Sequence, residues 1–347
     1  MAVSLIFTVK NEAGALPRLL DSIAAQTRAP DEIVVVDGGS TDATLAVLND
    51  HAKNLPMKIL AHPGANISQG RNAAIRAASG DIICSTDAGV RLESCWVEEL
   101  VKPFNHRPPI ADGNPSTPLR SAQDAAVGGQ PSAVVDVVSG FFVPDPHGVF
   151  ETALAATTLP GLAEIDPEKF LPSSRSVAFR KGAWERVNGY PEWLDVCEDL
   201  IFDFALRDAG LRFVFAPRAL AHFRPRANVR AFFKQYYQYA RGDGKANLWL
   251  LRHVIRYTTY LIALPFALAL LVLGIWNLGF GTLFLGFLGM FFTPYKRLLP
   301  MLHGLSFANQ LRAIAWVPII RVTGDIAKMI GYPVGVAWQM KNRKGSE

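Results

Sequence analysis

The stretch VVVDGGSTDAT, residues 34–44, decides how this chain is read. Three β-branched residues make a buried strand, and they stop at Asp37. Two glycines, a serine, a threonine and a second aspartate follow. Gly38 and Gly39 let the backbone turn at once, and Ser40 or Thr41 is placed to cap the next helix. A carboxylate at the end of a strand beside exposed helix amides suits a nucleoside: Asp37 accepts from base or ribose while the amides lie near phosphate. The stretch is neither G-x-G-x-x-G nor G-x-x-x-x-G-K-[ST], which excludes the dinucleotide fingerprint and the P-loop.

Around it, strands and helices alternate. Val3–Val9 is an apolar run broken by Asn11-Glu12, with Leu16, Leu19, Leu20 and Ile23 then at helical spacing. Glu32–Val36 is the next strand, and 41–49 a helix with Leu45 and Leu48 on one side. Met57–Leu60 is a third strand, 68–79 a helix with an alanine-rich face, and Asp81–Ser85 a fourth strand. Alternation at this spacing predicts an α/β fold with a mostly parallel, doubly wound sheet, whose ligands bind beyond the carboxyl ends of the strands.

Five motifs then occur in order: TVKNE (8–12), DGGSTD (37–42), QGRNAAI (69–75), STDAG (85–89) and CEDLIFDFALRDAG (197–210). The ordered set resembles the family 2 glycosyltransferases, inverting enzymes of GT-A fold, over about residues 3 to 225. The resemblance implies that Thr8, Asn11, Glu12, Asp37, Gly39 and Ser40 line a nucleotide pocket, and that Arg71 and Asn72 lie near donor phosphate or ribose. Asp87 stands where the family carries its D-x-D signature for ribose, diphosphate and a divalent cation, Mg²⁺ or Mn²⁺. Here the second aspartate is Gly89, so one carboxylate is left for the metal, and His222 resembles the late histidine that adds a ligand in some GT-A enzymes. Asp199, the second acid of the E-D motif after Glu198, is implied to be the base that deprotonates the acceptor. Ser174 and Arg175 are candidates for the acceptor, and Trp193 reads as a core aromatic.

Beyond residue 225 the chain changes character. Six basic residues from Arg224 to Lys245 meet one acid and interleave with five aromatics, which predicts an amphipathic interface segment over 226–250. Within it, Gln238 to Gly242 resembles the Q-x-x-R-W motif of processive polysaccharide synthases with glycine in place of tryptophan. That departure argues against a processive enzyme and leaves Arg241 facing donor diphosphate or lipid phosphate. From Tyr257 to Tyr295 there is no charged side chain across 39 residues. A single helix of that length would run roughly 58 Å, about twice a 30 Å hydrocarbon core. Two spans are expected, about 257–275 and 278–294, with the turn at Trp276–Gly279. Interfacial or re-entrant helices over 308–340 complete a membrane domain from 251 to 347.

Basic residues flank the pair on both sides (Arg252, Arg256, Lys296, Arg297), which orients the ends and the catalytic domain toward the cytoplasm of a multi-pass inner-membrane protein. Three cysteines without metal or disulfide spacing agree with a reducing compartment. The net charge of +5 suits an anionic partner, a membrane surface or phosphorylated substrate before nucleic acid. The expected function is transfer of a sugar from a UDP- or GDP-sugar to a lipid-linked or glycan acceptor at the bilayer. A nucleotidyltransferase of similar sheet topology and a non-catalytic membrane scaffold are the alternatives.

Overall fold

The computed structural model describes residues 1–105 and 134–343. In chain order the elements are β1 (Val3–Val9), α1 (Leu16–Ala24), β2 (Glu32–Asp37), α2 (Thr44–His51), β3 (Met57–Ala61), α3 (Ile67–Ala77), β4 (Ile82–Ser85), β5 (Val90–Leu92) and α4 (Trp96–Asn105). After them come β6 (Val137–Pro144), α5 (Val149–Thr158), β7 (Val177–Arg180), α6 (Lys181–Arg186), α7 (Glu198–Asp208) and β8 (Phe213–Phe223). The rest is helical: α8 (Val229–Lys245), α9 (Leu250–Thr258), a π-turn over Thr259–Ala263, α10 (Leu264–Val272), α11 (Trp276–Met301) and α12 (Phe307–Arg343).

Contacts divide the chain into two units. The first holds 1–142, 166–192 and 199–222, the second 143–165, 193–198 and 223–347. The first unit is built on one mixed sheet of order β3-β2-β1-β4-β7-β6-β8-β5. Its first half is parallel, as the alternation of elements predicts: Val9 lies beside Asp37, Asp37 beside Ala61, and Ile6 beside Ser85. Beyond β4 the sheet is mixed, with β7 antiparallel to both β4 and β6. The parallel strands are buried on both faces, so they read as unbroken apolar runs. Val34, Val36, Ile6, Ile83 and Phe179 close a core with Phe202 and Leu206 of α7. Because β2, β1 and β4 run the same way, their carboxyl ends share one edge, and the loops carrying Asp37, Asn11 and Asp87 leave from that edge.

α3 starts on a capping box. Asn66 Oδ1 accepts from the Gln69 amide at 2.9 Å and Gln69 Oε1 accepts from the Asn66 amide at 3.0 Å. Gly70 brings this helix against β1, since a Cβ there would lie 2.8 Å from Thr8 Cγ2. α2 departs from the sequence expectation: neither Ser40 nor Thr41 caps it. Its N-cap is Ala43, and the Thr44 amide donates to Asp42 Oδ1 at 3.0 Å. Ser40 is drawn back to Asp37 instead.

The second unit is helical. α12 is one continuous helix of 37 residues despite Pro318 and Pro333; packing outweighs the break that proline imposes on an isolated helix. Its glycines let it meet α8 backbone to backbone. A Cβ on Gly331 would strike the Tyr237 carbonyl, and one on Gly335 the Arg241 carbonyl. Among the described residues two helices are long and apolar enough to cross a membrane, Leu250–Val272 and Trp276–Met301. The turn between them comes earlier than Trp276–Gly279. Gly274, at φ +77°, ends α10 in a Schellman motif, with Gly274 N donating to Leu271 O at 3.2 Å and Ile275 N to Leu270 O at 2.9 Å. Trp276 already belongs to α11. Gly279 is buried against Leu271, whose side chain fills the space a Cβ would need, and so packs the hairpin without ending a helix.

Candidate active site

Asp37 is buried at the end of β2, and its own loop folds over it. The carboxylate accepts from the Gly39 amide at 3.2 Å, from the Ser40 amide at 3.1 Å and from the Ser40 hydroxyl at 2.5 Å. The turn closes because Gly39 takes φ +89°, where a side chain would be strained. The two amides that the sequence suggests for phosphate therefore point at Asp37. The first loop is laced to this one. Asn11, itself at φ +57°, donates its amide to Ser40 Oγ at 2.9 Å and accepts from the Thr41 amide at 2.8 Å. The Glu12 amide donates to Thr44 Oγ1 at 2.9 Å. Thr8 sits one residue before the end of β1, between them and α3.

The centre of the site is Asp87. Arg71, buried on α3, donates Nη2–H to one carboxylate oxygen at 2.9 Å. Arg175 brings Nε to within 3.5 Å of the other. Thr86 fixes the Arg175 backbone through a 2.9 Å bond to its carbonyl. Arg71 also lies over the Tyr190 ring, 5.4 Å from its centroid. Tyr190 stacks on Phe202 of α7 at 4.1 Å. Burial pushes the Tyr190 hydroxyl above its ordinary pKa, with Arg71 opposing and Asp203 and Asp199 assisting. The Asp203 carboxyl is raised well above the usual range by burial first and by Asp199 second, against Arg207 and Arg71. Arg71 thus joins Asp87 to a second group of acids on α7. Asp199 is half-buried in the first turn of that helix and Asp203 lies one turn on. Tyr190 and Asp203 are not conspicuous in the sequence. The only signal is the i, i+4 spacing of two aspartates on the helix face that also carries Phe202 and Leu206.

Other expected residues fall elsewhere. Asn72 has no capacity left for a ligand. Its Nδ2 donates to the Tyr190 carbonyl and to Glu192, each at 2.9 Å, and its Oδ1 accepts from Trp184 Nε1 at 3.0 Å and from the Tyr190 amide at 2.9 Å. All four bonding positions are used, which makes Asn72 the bracket of the 184–192 turn. His222 is held by Glu93, with Nε2 and Oε1 2.5 Å apart. Ser174 is buried next to Arg175. The division between units runs between Glu198, buried, and Asp199. Trp193 is half exposed and stacks on Trp338 within the second unit, so it is not a core residue. Arg241 is bonded to Asp195, which Lys245 also holds at 2.7 Å. The glycine that replaces the motif's tryptophan has a steric reason: a Cβ on Gly242 would lie 2.9 Å from both Cys197 Sγ and the Val196 carbonyl. None of the three cysteines is in a disulfide.

A divalent cation finds a thin ligand set here. Among the described residues no three His, Cys, Asp or Glu side chains are grouped to hold a metal. Asp87 is already neutralised by two guanidiniums, and His222 is committed to Glu93. These residues do not fit a protein-built cation site. They fit an anion: two arginines converge on one carboxylate, and guanidinium matches phosphate oxygens in geometry and charge.

Residues 4–119 match the family described as Glycosyl transferase family 2. The chain is 22% identical over 239 residues to the O-antigen chain rhamnosyltransferase RfbN of Salmonella typhimurium, covering 68% of this chain and 71% of that one. It is 49% identical over 59 residues to a PGL/p-HBAD biosynthesis glycosyltransferase of Mycobacterium bovis, covering 17% of this chain and only 23% of that relative. Among solved structures it resembles a mannosyltransferase from Pyrobaculum calidifontis, solved with GDP-Man and Mn²⁺, at TM-score 0.51 and 19% identity over 99% of this chain and 88% of that one. That likeness is one of fold and is of GT-A type.

Proposed function

We propose that this chain, whose residues 4–119 match the family described as Glycosyl transferase family 2, moves a sugar from a nucleoside diphosphate donor, UDP- or GDP-linked, to an acceptor presented at a membrane. The observation that carries this reading is the Asp87–Arg71–Arg175 group, with Arg71 lying over Tyr190, which stacks on Phe202 of the helix that carries Asp199. In the reaction the bond between the anomeric carbon and the diphosphate oxygen breaks while the acceptor oxygen bonds to the opposite face, inverting that carbon. The acceptor proton passes to Asp199, positioned as general base. Negative charge grows on the departing diphosphate, and Arg71 and Arg175 receive it in place of Asp87. Asp37, with Asn11 and Ser40 laced beside it, forms the wall for base and ribose, since β2 lies two strands from β4, roughly 10 Å away at ordinary strand spacing.

The acceptor side rests on the second unit. Most large side chains of α10 and α11 that face outward are apolar and exposed, among them Val272, Leu285 and Phe292. Exposed apolar surface on two long helices suits a bilayer, and the flanking arginines and lysines put both ends on the cytoplasmic side. The acceptor in this reading is carried on a lipid or is a growing envelope glycan.

The test is product analysis. Full-length protein is incubated with radiolabelled UDP- and GDP-sugars and membrane lipid extract. Release of nucleoside diphosphate with label entering lipid supports the proposal. Release of pyrophosphate makes the chain a nucleotidyltransferase, and no turnover with any donor makes it a scaffold.

A further inference from the structure

The second unit holds a polar cluster in an unexpected place. α9 is turned inside out relative to a helix of a water-soluble protein. Its outer face carries Leu250, Leu251, Val254 and Ile255, all exposed. Its inner face carries His253 and Arg256, continued into the π-turn by Tyr260. The facing stripe of α12 is Arg321, Asp325, Lys328 and Tyr332, spaced by four, three and four residues on one side of the helix. The two stripes interlock. Arg256 Nε donates to Asp325 Oδ1 at 2.7 Å, the Tyr260 hydroxyl donates to Oδ2 at 3.1 Å, and Arg321 Nε lies 3.3 Å from that same oxygen. His253 stacks on Tyr332 at 3.8 Å. Arg256 donates to His253 Nδ1 at 3.1 Å, so Nε2 carries the proton that bonds Asp243 of α8 at 3.2 Å. Lys328 lies over the Tyr236 ring of α8, 4.7 Å from its centroid.

The charges do not balance. Three cations, Arg256, Arg321 and Lys328, meet two carboxylates, Asp325 and Asp243. Asp243 is already bonded to His253 and approached by Cys197 Sγ at 3.6 Å. Lys328 registers the excess: burial first and Arg256 next pull its ammonium down to about 8, with Arg321 adding and Asp325 and Asp243 opposing. A positive cluster behind an apolar outer face is short of an anion. Arg321 is 39% exposed and gives an approach to it.

We propose that the α9–α12 cluster of Arg256, Arg321 and Lys328 binds the phosphate group of a membrane lipid, whose chains lie along the exposed apolar face of Leu250–Val272. The inference rests on the membrane-seated part of the proposed function and not on the transfer reaction. The anion is one that brings its own apolar tail, because the cluster opens beside a helix face that only lipid would cover. Lys328 supplies the excess charge and Arg321 shares itself between Asp325 and the incoming phosphate, while Arg256 stays committed to Asp325.

The experiment uses the full chain purified in a zwitterionic detergent and titrated with short-chain phosphatidic acid, phosphatidylcholine or inorganic phosphate, read by native mass spectrometry. The expected result is at least a tenfold preference for phosphatidic acid over phosphatidylcholine, cut at least tenfold in the Arg321→Gln/Lys328→Met double variant. The melting temperature of that variant without lipid should stay close to the parent's, since the cluster changes only from one excess cation to one excess carboxylate and keeps the Arg256–Asp325 bond; this shows that lost binding is not lost folding. Unchanged lipid preference in the variant overturns the site. Inorganic phosphate binding as tightly as phosphatidic acid overturns its assignment to a lipid. Nucleoside diphosphate binding, followed in the same samples, should not change in the variant; its absence from the parent would count against the proposed function and leave the lipid result standing.

Discussion

Two aspartates in this chain sit between two arginines, and the difference between them separates a reacting site from a holding site. Asp87, in the sheet unit, has Arg71 on one oxygen and Arg175 near the other. Asp325, in the helical unit, has Arg256 and Arg321 in the same arrangement. Around Asp87 the neighbouring titratable groups are acids, Asp203 among them, whose buried carboxyl feels Arg71, so no further cation adds to the two arginines and an incoming anion can take the place of Asp87. Around Asp325 the added group is another cation, Lys328, and the balance stays positive. The first set can let go of a charge; the second can only take one up.

Removing Asp199 is expected to have the largest effect. Asp199→Asn should lower turnover by about 10³-fold, within the range for a lost general base, and leave nucleoside diphosphate affinity within about threefold. Turnover near the parent's would move the base elsewhere. In the helical unit the largest structural effect should come from Gly335→Ala. The added methyl meets the Arg241 carbonyl, and backbone must shift to admit it, at a cost of about 1–3 kcal/mol. A melting temperature in detergent unchanged from the parent would mean that α8 and α12 are less closely packed than described.

Asp203 sharpens the comparison through pH. Its folded pKa is raised by burial and Asp199, so the folded state keeps a proton that the unfolded chain gives up near the ordinary aspartate value of about 3.9. Its contribution is fully present below that value and is lost as pH rises toward the raised folded pKa. Asp203→Asn should abolish this decline and melt above the parent at neutral pH. A parent whose stability does not fall over that range would show Asp203 charged in the folded state. The smallest effect is expected at Glu164, which Arg297 grips with two 2.8 Å bonds and holds down to about 2. Glu164→Gln should cost about 0.5 kcal/mol, since the pair is solvent-exposed, and the loss should vanish as pH falls from the ordinary glutamate range toward 2, where the parent's carboxylate is protonated too.

How much of this could be read from the sequence follows the range of the interactions involved. The strand-to-loop stops at Asp37 and Asp87 and the α/β alternation are local, and they are visible as apolar runs ending in turn chemistry. The reversal at β7, which runs against both β4 and β6, is not, because pairing partners are set by tertiary contacts. Asn72 sits in a motif and looks like a ligand group, yet its amide is saturated by a turn more than a hundred residues away. Gly242 looks like a decayed motif until Val196 and Cys197 are found filling the missing side chain's place. The hairpin turn was expected at the glycine after Trp276, but Gly274 has the left-handed backbone and Gly279 only the close packing; composition does not separate these two uses of glycine. In the same way Trp193, apolar by type, lies half exposed against Trp338.

The most direct test of the arginine-held donor site is calorimetric titration of nucleoside diphosphate into the full chain with excess EDTA. The account predicts binding without metal, weakened more than tenfold in Arg71→Gln and unchanged in Asp199→Asn. Binding that is absent in EDTA and restored by Mn²⁺ would contradict it.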